Sequence, residues 1–378
     1  MNKTWHITYL ITDLDIGGAE NSLYQLVTHL NRKNFSPTVY SLSGEGKIAD
    51  KLRGKGIEVV CLGAKNKFDI SVFFKLLELL KHQKPHILHT YLFHANFVGR
   101  IAGRLVGIPI IISTLQVMEK EKIYHLYFDM LTQWMIDKEI CVSKELEKFT
   151  RKKARISASK LITIYNAVDI GSVKPLSKEE KSELMRELSL DKFHPIIGTV
   201  ARLTTQKGIP YLLKAFQLIL KDFPDCFLLI VGQGTEKKEL ETLSEQLGIS
   251  SNVKFLGFRE DVNEIMNLMD VFVLPSLWEG FPLTILEAQA LGKSVVATSV
   301  SGSKEIIRDG ENGFLVSPKD SQSLAHCINI LLKNPKMREE FGKKGKEFVS
   351  KNFSLDRMVK DTEELYEDLI INKHLANF

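Results

Sequence analysis

Short apolar runs rich in β-branched residues alternate with amphipathic stretches along the whole of this 378-residue chain, and the alternation is interrupted once. The first series predicts strands at 6–11, 38–42, 58–62, 87–90, 110–113, 140–142 and 161–164. From 169 to 194 the chain turns polar and helical, with Pro175 and the charged run KEEKSELMREL, as expected of a linker. A second series then predicts strands at 196–200, 227–231, 253–256, 271–274, 294–297 and 314–316. Strand-length apolar runs separated by helical patterns are the mark of a parallel sheet wound with helices. Two series mean two doubly wound, Rossmann-like α/β domains, at 1–168 and 169–353. The stretch 354–371 has helical apolar spacing, so the segment 354–378 is expected to pack back on the first domain. Sheets of this kind bind ligands at the carboxyl ends of their strands, and two of them facing each other would share a central cleft.

Composition agrees with two ordinary globular cores: 44% of residues are hydrophobic and 26% charged. No apolar run approaches the ~18 residues of a membrane span, and the opening WHITYLIT reads as a strand rather than a signal peptide, so a cytoplasmic protein is expected. Cys61, Cys141, Cys226 and Cys327 lie too far apart for a zinc site or a disulfide framework. The net charge of +5 is uneven: residues 1–180 carry 26 Lys+Arg against 18 Asp+Glu, or +8, leaving −3 for the rest. Within the basic half, 144–160 gathers Lys144, Lys148, Arg151, Lys152, Lys153, Arg155 and Lys160. That cluster suits an anionic membrane or a lipid diphosphate, or else is a solvated helix end. No aromatics interleave with it to form a stacking platform, so nucleic acid is not an expected partner.

The segment PSLWEGFPLTILEAQALGKSVVAT, at 275–298, places Glu279 and Glu287 eight residues apart around a turn that opens a helix. Phe281 and Pro282 suit the turn and the first helical position, and Leu283, Ile285, Leu286, Ala288, Ala290 and Leu291 form the apolar helical run. A helix N-terminus offers unpaired amide groups and partial positive charge to a phosphate. Helical side chains tilt toward the N-terminus, which aims Glu287 at the pocket that Glu279 enters from the loop. An anion site flanked by two hydroxyl-accepting carboxylates suits a nucleotide-sugar; two solvated acids on a surface helix are the plainer alternative.

Arg202 follows the predicted strand 196–200, and Lys207 precedes the next helix, so both fall at the carboxyl edge of the second sheet. Two fixed cations there would neutralise charge on a departing diphosphate. Gly232 and Gly234, after the strand 227–231, supply a further wall. In the first domain, Gly17 and Gly18 permit close backbone approach between the first strand and its helix. Asp13 and Asp15 form an Asp-X-Asp pair with no other carboxylate or histidine near in sequence, so no metal is expected.

Together these residues resemble the retaining nucleotide-sugar glycosyltransferases of family 4, with their two-domain GT-B fold. The resemblance covers GGAE at Gly17, VSKEL at Val142, YNAVD at Tyr165, VARLTTQKG at Val200, VGQG at Val231 and PSLWEGFPLTILEA at Pro275. It implies Arg202 and Lys207 on the donor diphosphate, Glu279 on the donor sugar and Glu287 on the ribose hydroxyls. Gly17 and Gly18 would approach the phosphates from the opposite domain. Amide groups near Pro282, Leu283 and Thr284 would complete the anion site beside Phe281.

The same resemblance implies sugar transfer to an acceptor hydroxyl with retained configuration and no metal or other cofactor. The donor would be a UDP-sugar, with a GDP-sugar as alternative, and the acceptor a lipid-linked glycan of surface polysaccharide or glycolipid synthesis. One position departs from the pattern. Many members carry a histidine after the fifth strand of the first domain, where this chain reads STLQV, with Gln116. An amide is no base, though it hydrogen-bonds hydroxyls. His89 and His94, in ILHTYLFHANFVGR, are expected on the cleft edge as further acceptor-side candidates. The stretch 122–137 carries Tyr124, Tyr127, Phe128, Leu131, Trp134 and Met135 on one broad helical face. The favoured expectation packs that face into the first-domain core; the alternative is peripheral attachment to a bilayer. A nucleotide-sugar epimerase and a non-catalytic nucleotide-sugar-binding protein remain as rival functions.

Overall fold

The computed structural model describes residues 4–66, 69–118 and 123–375. Lys122 of the aromatic stretch, and residues 1–3 and 376–378 of the expected domains, lie outside them. The chain divides into two compact units, one formed by Met1–Ala167 with Leu355–Phe378, the other by Val168–Ser354.

Among the described residues the first unit holds seven strands: β1 (Trp5–Ile11), β2 (Phe35–Ser41), β3 (Glu58–Cys61), β4 (Ile87–Tyr91), β5 (Ile110–Leu115), β6 (Lys138–Cys141) and β7 (Leu161–Thr163). They are all parallel, in the order β3-β2-β1-β4-β5-β6-β7. The reversal of direction beside β1 is the doubly wound pattern. Strand β2 starts at Phe35, ahead of the expected 38, and runs through Pro37. Its pairing with β3 begins only at Thr38, so the missing Pro37 amide proton faces a side with no ladder to break.

The helix Leu355–Asn372 belongs to this unit. Leu355, Met358, Val359, Leu365, Tyr366, Leu369 and Ile370 join the core of Ile7, Tyr9, Ile87 and Ile112. At its centre the Tyr366 hydroxyl lies 2.9 Å from the Tyr9 hydroxyl and 2.6 Å from His89 Nδ1.

A second polar group is buried in this unit. Arg100, on the helix Phe93–Val106, is 0% exposed. It donates from Nε to Ser113 Oγ (2.9 Å), from Nη1 to Asp129 Oδ1 and Thr132 Oγ1 (2.9 Å each), and from Nη2 to Glu139 Oε1 (2.6 Å). One guanidinium thus serves two carboxyl groups. Burial raises both acids above the usual carboxylate range, and their mutual repulsion adds to the rise at Glu139.

The second unit has six parallel strands: β8 (Ile196–Val200), β9 (Phe227–Val231), β10 (Val253–Gly257), β11 (Val271–Leu274), β12 (Ser294–Thr298) and β13 (Phe314–Val316). Their order is β10-β9-β8-β11-β12-β13, which repeats the topology of the first unit. Strands β9, β11 and β12 are buried throughout, as parallel strands covered on both faces must be. The linker carries the helix Lys178–Glu187, opened by a capping box between Ser177 and Glu180.

Candidate functional site

The loops that follow β8, β9, β11 and β12 are knitted together at the carboxyl edge of the second sheet. The loop after β8 runs beside that after β9: Ala201 N donates to Val231 O, Leu203 N to Gln233 O and Glu236 N to Leu203 O, each at 3.0 Å. Gly232 and Gly234 permit this proximity, because a β-carbon would fall 2.0 Å from Ala201 O at the first and 2.3 Å from Leu203 O at the second. Gly208 adopts φ +62° and brings the same loop against Pro275 O. Leu277 N then donates to Gln206 O (2.7 Å) and Gln206 Nε2 to Trp278 O (3.0 Å). From β12, Thr298 Oγ1 donates to Ser276 O (2.5 Å) and Ser301 Oγ to Glu279 O (2.6 Å).

This scaffold unites two of the expected residues. Lys207 Nζ lies 2.6 Å from Glu279 Oε1, and Ser276 Oγ donates to the same oxygen at 2.6 Å. Glu279 is buried, at 4% exposure, whereas the Lys207 side chain keeps 18%. Arg202, in the same β8 loop, is exposed.

The helix Leu283–Ala290 starts one residue later than expected. Pro282 is its N-cap, in extended conformation, and makes no side-chain capping bond. A proline has no amide proton, so Leu283 and Thr284 begin the donor set rather than Pro282. Phe281 is buried edge-on against Phe353, with ring centroids 5.2 Å apart, which makes its side chain a packing group. Glu287, in the second turn, is part-buried, and its carboxyl has no hydrogen-bond or ion-pair partner among the described residues. Desolvation pushes it up to about 7.

The first-unit candidates fare differently. Gly17 caps the helix Gly18–His29 in extended backbone, and Gly18 is exposed. Asp13 Oδ1 accepts from Asp15 N at 3.3 Å. Among the described residues no three His, Cys, Asp or Glu side chains form a group that could hold a metal ion.

His94 is part-buried in the first turn of Phe93–Val106, edge-on to Phe93. The residue before that helix, Leu92, is held at φ +70°. His89 corrects the expectation of a cleft-edge residue. It is the middle residue of β4, 0% exposed, between Tyr366 and Thr114 Oγ1 (2.7 Å), and burial lowers it to about 3. Period-2 alternation turns it toward the helix Leu355–Asn372, away from the strand end.

Gln116 is 8% exposed, and its amide is paired with Asn166. Asn166 Nδ2 donates to Gln116 Oε1 (2.8 Å), Gln116 Nε2 lies 3.4 Å from Asn166 Oδ1, and Ser22 Oγ donates to that Oδ1 at 2.7 Å. The three line a cavity of about 20 Å³, room for a water molecule.

The aromatic stretch overturns the favoured expectation of core packing. Tyr124, Tyr127, Leu131 and Trp134 are 56%, 56%, 47% and 65% exposed. Sequence reasoning also missed the supports of the second-unit site: Ser276, Gln206, Gly208, Ser301 and Gly302. For the last two a signal existed, since SGS opens the helix Ser301–Ile306 two residues beyond β12, and a β-carbon at Gly302 would fall 2.4 Å from Gly280 O.

Residues 180–348 match the model of glycosyl transferases group 1, and residues 16–172 that of glycosyltransferase family 4. An uncharacterized glycosyltransferase of Methanocaldococcus jannaschii is 32% identical over 305 residues, 78% of each chain. A UDP-Gal:alpha-D-GlcNAc-diphosphoundecaprenol alpha-1,3-galactosyltransferase of Escherichia coli is 27% identical over 335 residues, 86% of each. The solved Anabaena HepE in complex with UDP-glucose superposes with TM-score 0.88 at 23% identity, covering 96% of this chain and 99% of that one. Two doubly wound units with this likeness define the GT-B fold. The chain belongs to the glycosyltransferases of family 4.

Proposed function

We propose that this glycosyltransferase moves a sugar from a nucleoside diphosphate sugar, a UDP-sugar before a GDP-sugar, to a hydroxyl of a lipid-linked glycan in surface polysaccharide synthesis. The anomeric configuration is retained and no metal or other cofactor takes part. The observation that carries the reading is the Lys207–Glu279 pair, fixed at the carboxyl edge of the sheet beside an uncapped helix N-terminus and the unpartnered Glu287. Lys207, with Arg202, takes the charge of the leaving diphosphate, joined by the amide groups of Leu283 and Thr284. Glu279 accepts from donor-sugar hydroxyls while its other contacts hold it still, and Glu287 accepts from the ribose. A cationic cluster of this kind does the work that a divalent ion does elsewhere. The lipid-linked acceptor is supported by the Escherichia coli relative, whose name specifies a diphosphoundecaprenol substrate, and the UDP-sugar by the Anabaena neighbour. Such an acceptor places the protein on the cytoplasmic face of the membrane as a peripheral protein.

Calorimetric titration with UDP, GDP and ADP, with and without EDTA, tests the donor reading. Binding of UDP alone, unaffected by EDTA and weakened in Lys207→Ala, is the expected outcome. Failure of all three nucleotides to bind would turn the assignment toward a non-catalytic relative. NMR of the product's anomeric proton against that of the donor decides retention.

A further inference from the structure

The helix Ile123–Thr132, with the short turn Gln133–Met135 that extends it, is amphipathic in the inverted sense. Its inward positions, three and four residues apart, are polar: His125, Asp129 and Thr132 are 2%, 5% and 6% exposed. Asp129 and Thr132 are clamped there by the buried Arg100, and the His125 ring stacks on Phe93 at 3.4 Å between centroids. Its outward positions are Tyr124, Tyr127, Phe128, Leu131 and Trp134, the largest concentration of exposed large hydrophobics among the described residues. A helix of a water-soluble protein normally turns its apolar stripe to the core. Here the Arg100 cluster fixes the opposite orientation, so the apolar face is offered outward by construction.

The neighbourhood of that face is cationic. Gln133 ties the turn to the end of the basic helix Lys144–Lys153: its Nε2 donates to Arg155 O (3.4 Å), and its Oε1 accepts from Ser157 N (3.2 Å). Lys160 is drawn inward, donating to Gln133 O and Ile136 O, but Lys144, Lys148, Arg151, Lys152, Lys153 and Arg155 are exposed. Tyrosine and tryptophan beside leucine, bordered by exposed lysines and arginines, match the headgroup region of an anionic bilayer, where aromatic rings sit at the interface and cations meet lipid charge. A second copy of the chain fits less well, because an isologous contact would bring the two cationic borders together.

We propose that this face is the surface by which the protein docks on an anionic membrane, with the Tyr124–Trp134 side chains in the interface and the 144–155 cations on the lipid headgroups. The proposal deepens the lipid-linked-acceptor reading. It is tested without donor or acceptor, so that the two fail separately.

The experiment is flotation of the full chain with vesicles of phosphatidylcholine alone and of phosphatidylcholine with phosphatidylglycerol, at low and high salt. Binding to the anionic vesicles only, weakened by salt, is expected. The triple variant Tyr127→Ser, Leu131→Ser, Trp134→Ser and the triple variant Lys148→Glu, Arg151→Glu, Lys152→Glu should each lose at least tenfold in partition, since one interfacial cation alone is equivalent to about fivefold. Unchanged melting temperature and UDP titration in both variants show that the fold and the donor site survive. Absence of flotation with anionic vesicles at low salt overturns the proposal. So does unaltered binding of the serine variant, or a concentration-dependent dimer that the serine substitutions abolish.

Discussion

Lys207 and Glu279, 72 residues apart in sequence, meet in a 2.6 Å ion pair that joins the loop after β8 to the loop after β11. The pair exists because Gly208 lets the first loop touch the backbone of Pro275, while Ser276 holds the carboxylate from its other side. The ammonium is therefore held by the protein's own carboxylate.

Replacing Lys207 by alanine should lower kcat/KM by two to three orders of magnitude, on the scale of the ~2.7 to 4 kcal/mol lost with one strong electrostatic donor. It also strips the cation from a carboxylate that is 4% exposed. The stability cost stays below the ~3 to 5 kcal/mol of a fully buried pair, because the lysine keeps contact with water. Steady-state kinetics on the variant decides the matter: an unchanged rate would remove Lys207 from the diphosphate role.

Glu287 predicts a pH dependence of definite sign. Its ordinary value of 4.5 is raised to about 7 in the folded chain. The folded protein thus holds a proton that the unfolded chain releases. The resulting stability is complete below pH 4.5 and is lost as the pH rises through about 7. Glu287→Gln, which does not titrate, should gain melting temperature relative to wild type as the pH is raised across that window. A difference that stays constant with pH would refute the assignment. If ribose hydroxyls donate to this carboxylate, UDP binding just below pH 7 also expels a proton, and the titration enthalpy then depends on the ionisation heat of the buffer.

Arg100→Met should destabilise the first unit by ~3 to 5 kcal/mol, since it leaves Asp129 and Glu139 buried without their cation. With the guanidinium gone, both acids take up protons at still higher pH. The variant should therefore be least stable in alkaline buffer and recover partly toward acid, which circular dichroism melts at several pH values measure. A loss independent of pH would point to packing alone.

The strands β1 to β13 were legible because each is a short apolar run between polar helical stretches, a pattern set by burial on both faces of a parallel sheet. The helix Leu355–Asn372 was legible from a different signal, the three- and four-residue apolar spacing of a helix with one buried face. What period and composition do not carry is the direction in which a polar residue points. His89 lies in a strand-end motif, yet alternation turns it to Tyr366 in the core. The helix at Tyr124 has ordinary amphipathic spacing, yet the buried Arg100 reverses which face is inside. In the site, the carboxylates and the lysine were visible as residue types. The contact of Lys207 with Glu279 depends on loops that meet only in three dimensions, through glycine positions such as Gly208 and Gly302.

Gly232→Ala tests whether that loop contact sustains the site. Gly232 adopts φ +130°, and a β-carbon there would lie 2.0 Å from Ala201 O, a backbone atom that cannot swing aside as a side chain can. Gly248, at φ +69°, has nothing within 4 Å of its β-carbon position, so Gly248→Ala in the same unit carries backbone strain alone, about 1 kcal/mol. The Gly232 variant should lose ~1 to 3 kcal/mol more, because the β8 and β9 loops must separate. Their separation carries Arg202 and Lys207 out of register with Glu279, so UDP affinity should fall in Gly232→Ala and stay unchanged in Gly248→Ala. Melting temperature and calorimetric titration on the pair separate the two effects. Equal affinity in both variants would mean that the loops tolerate displacement and that the glycine serves the fold only.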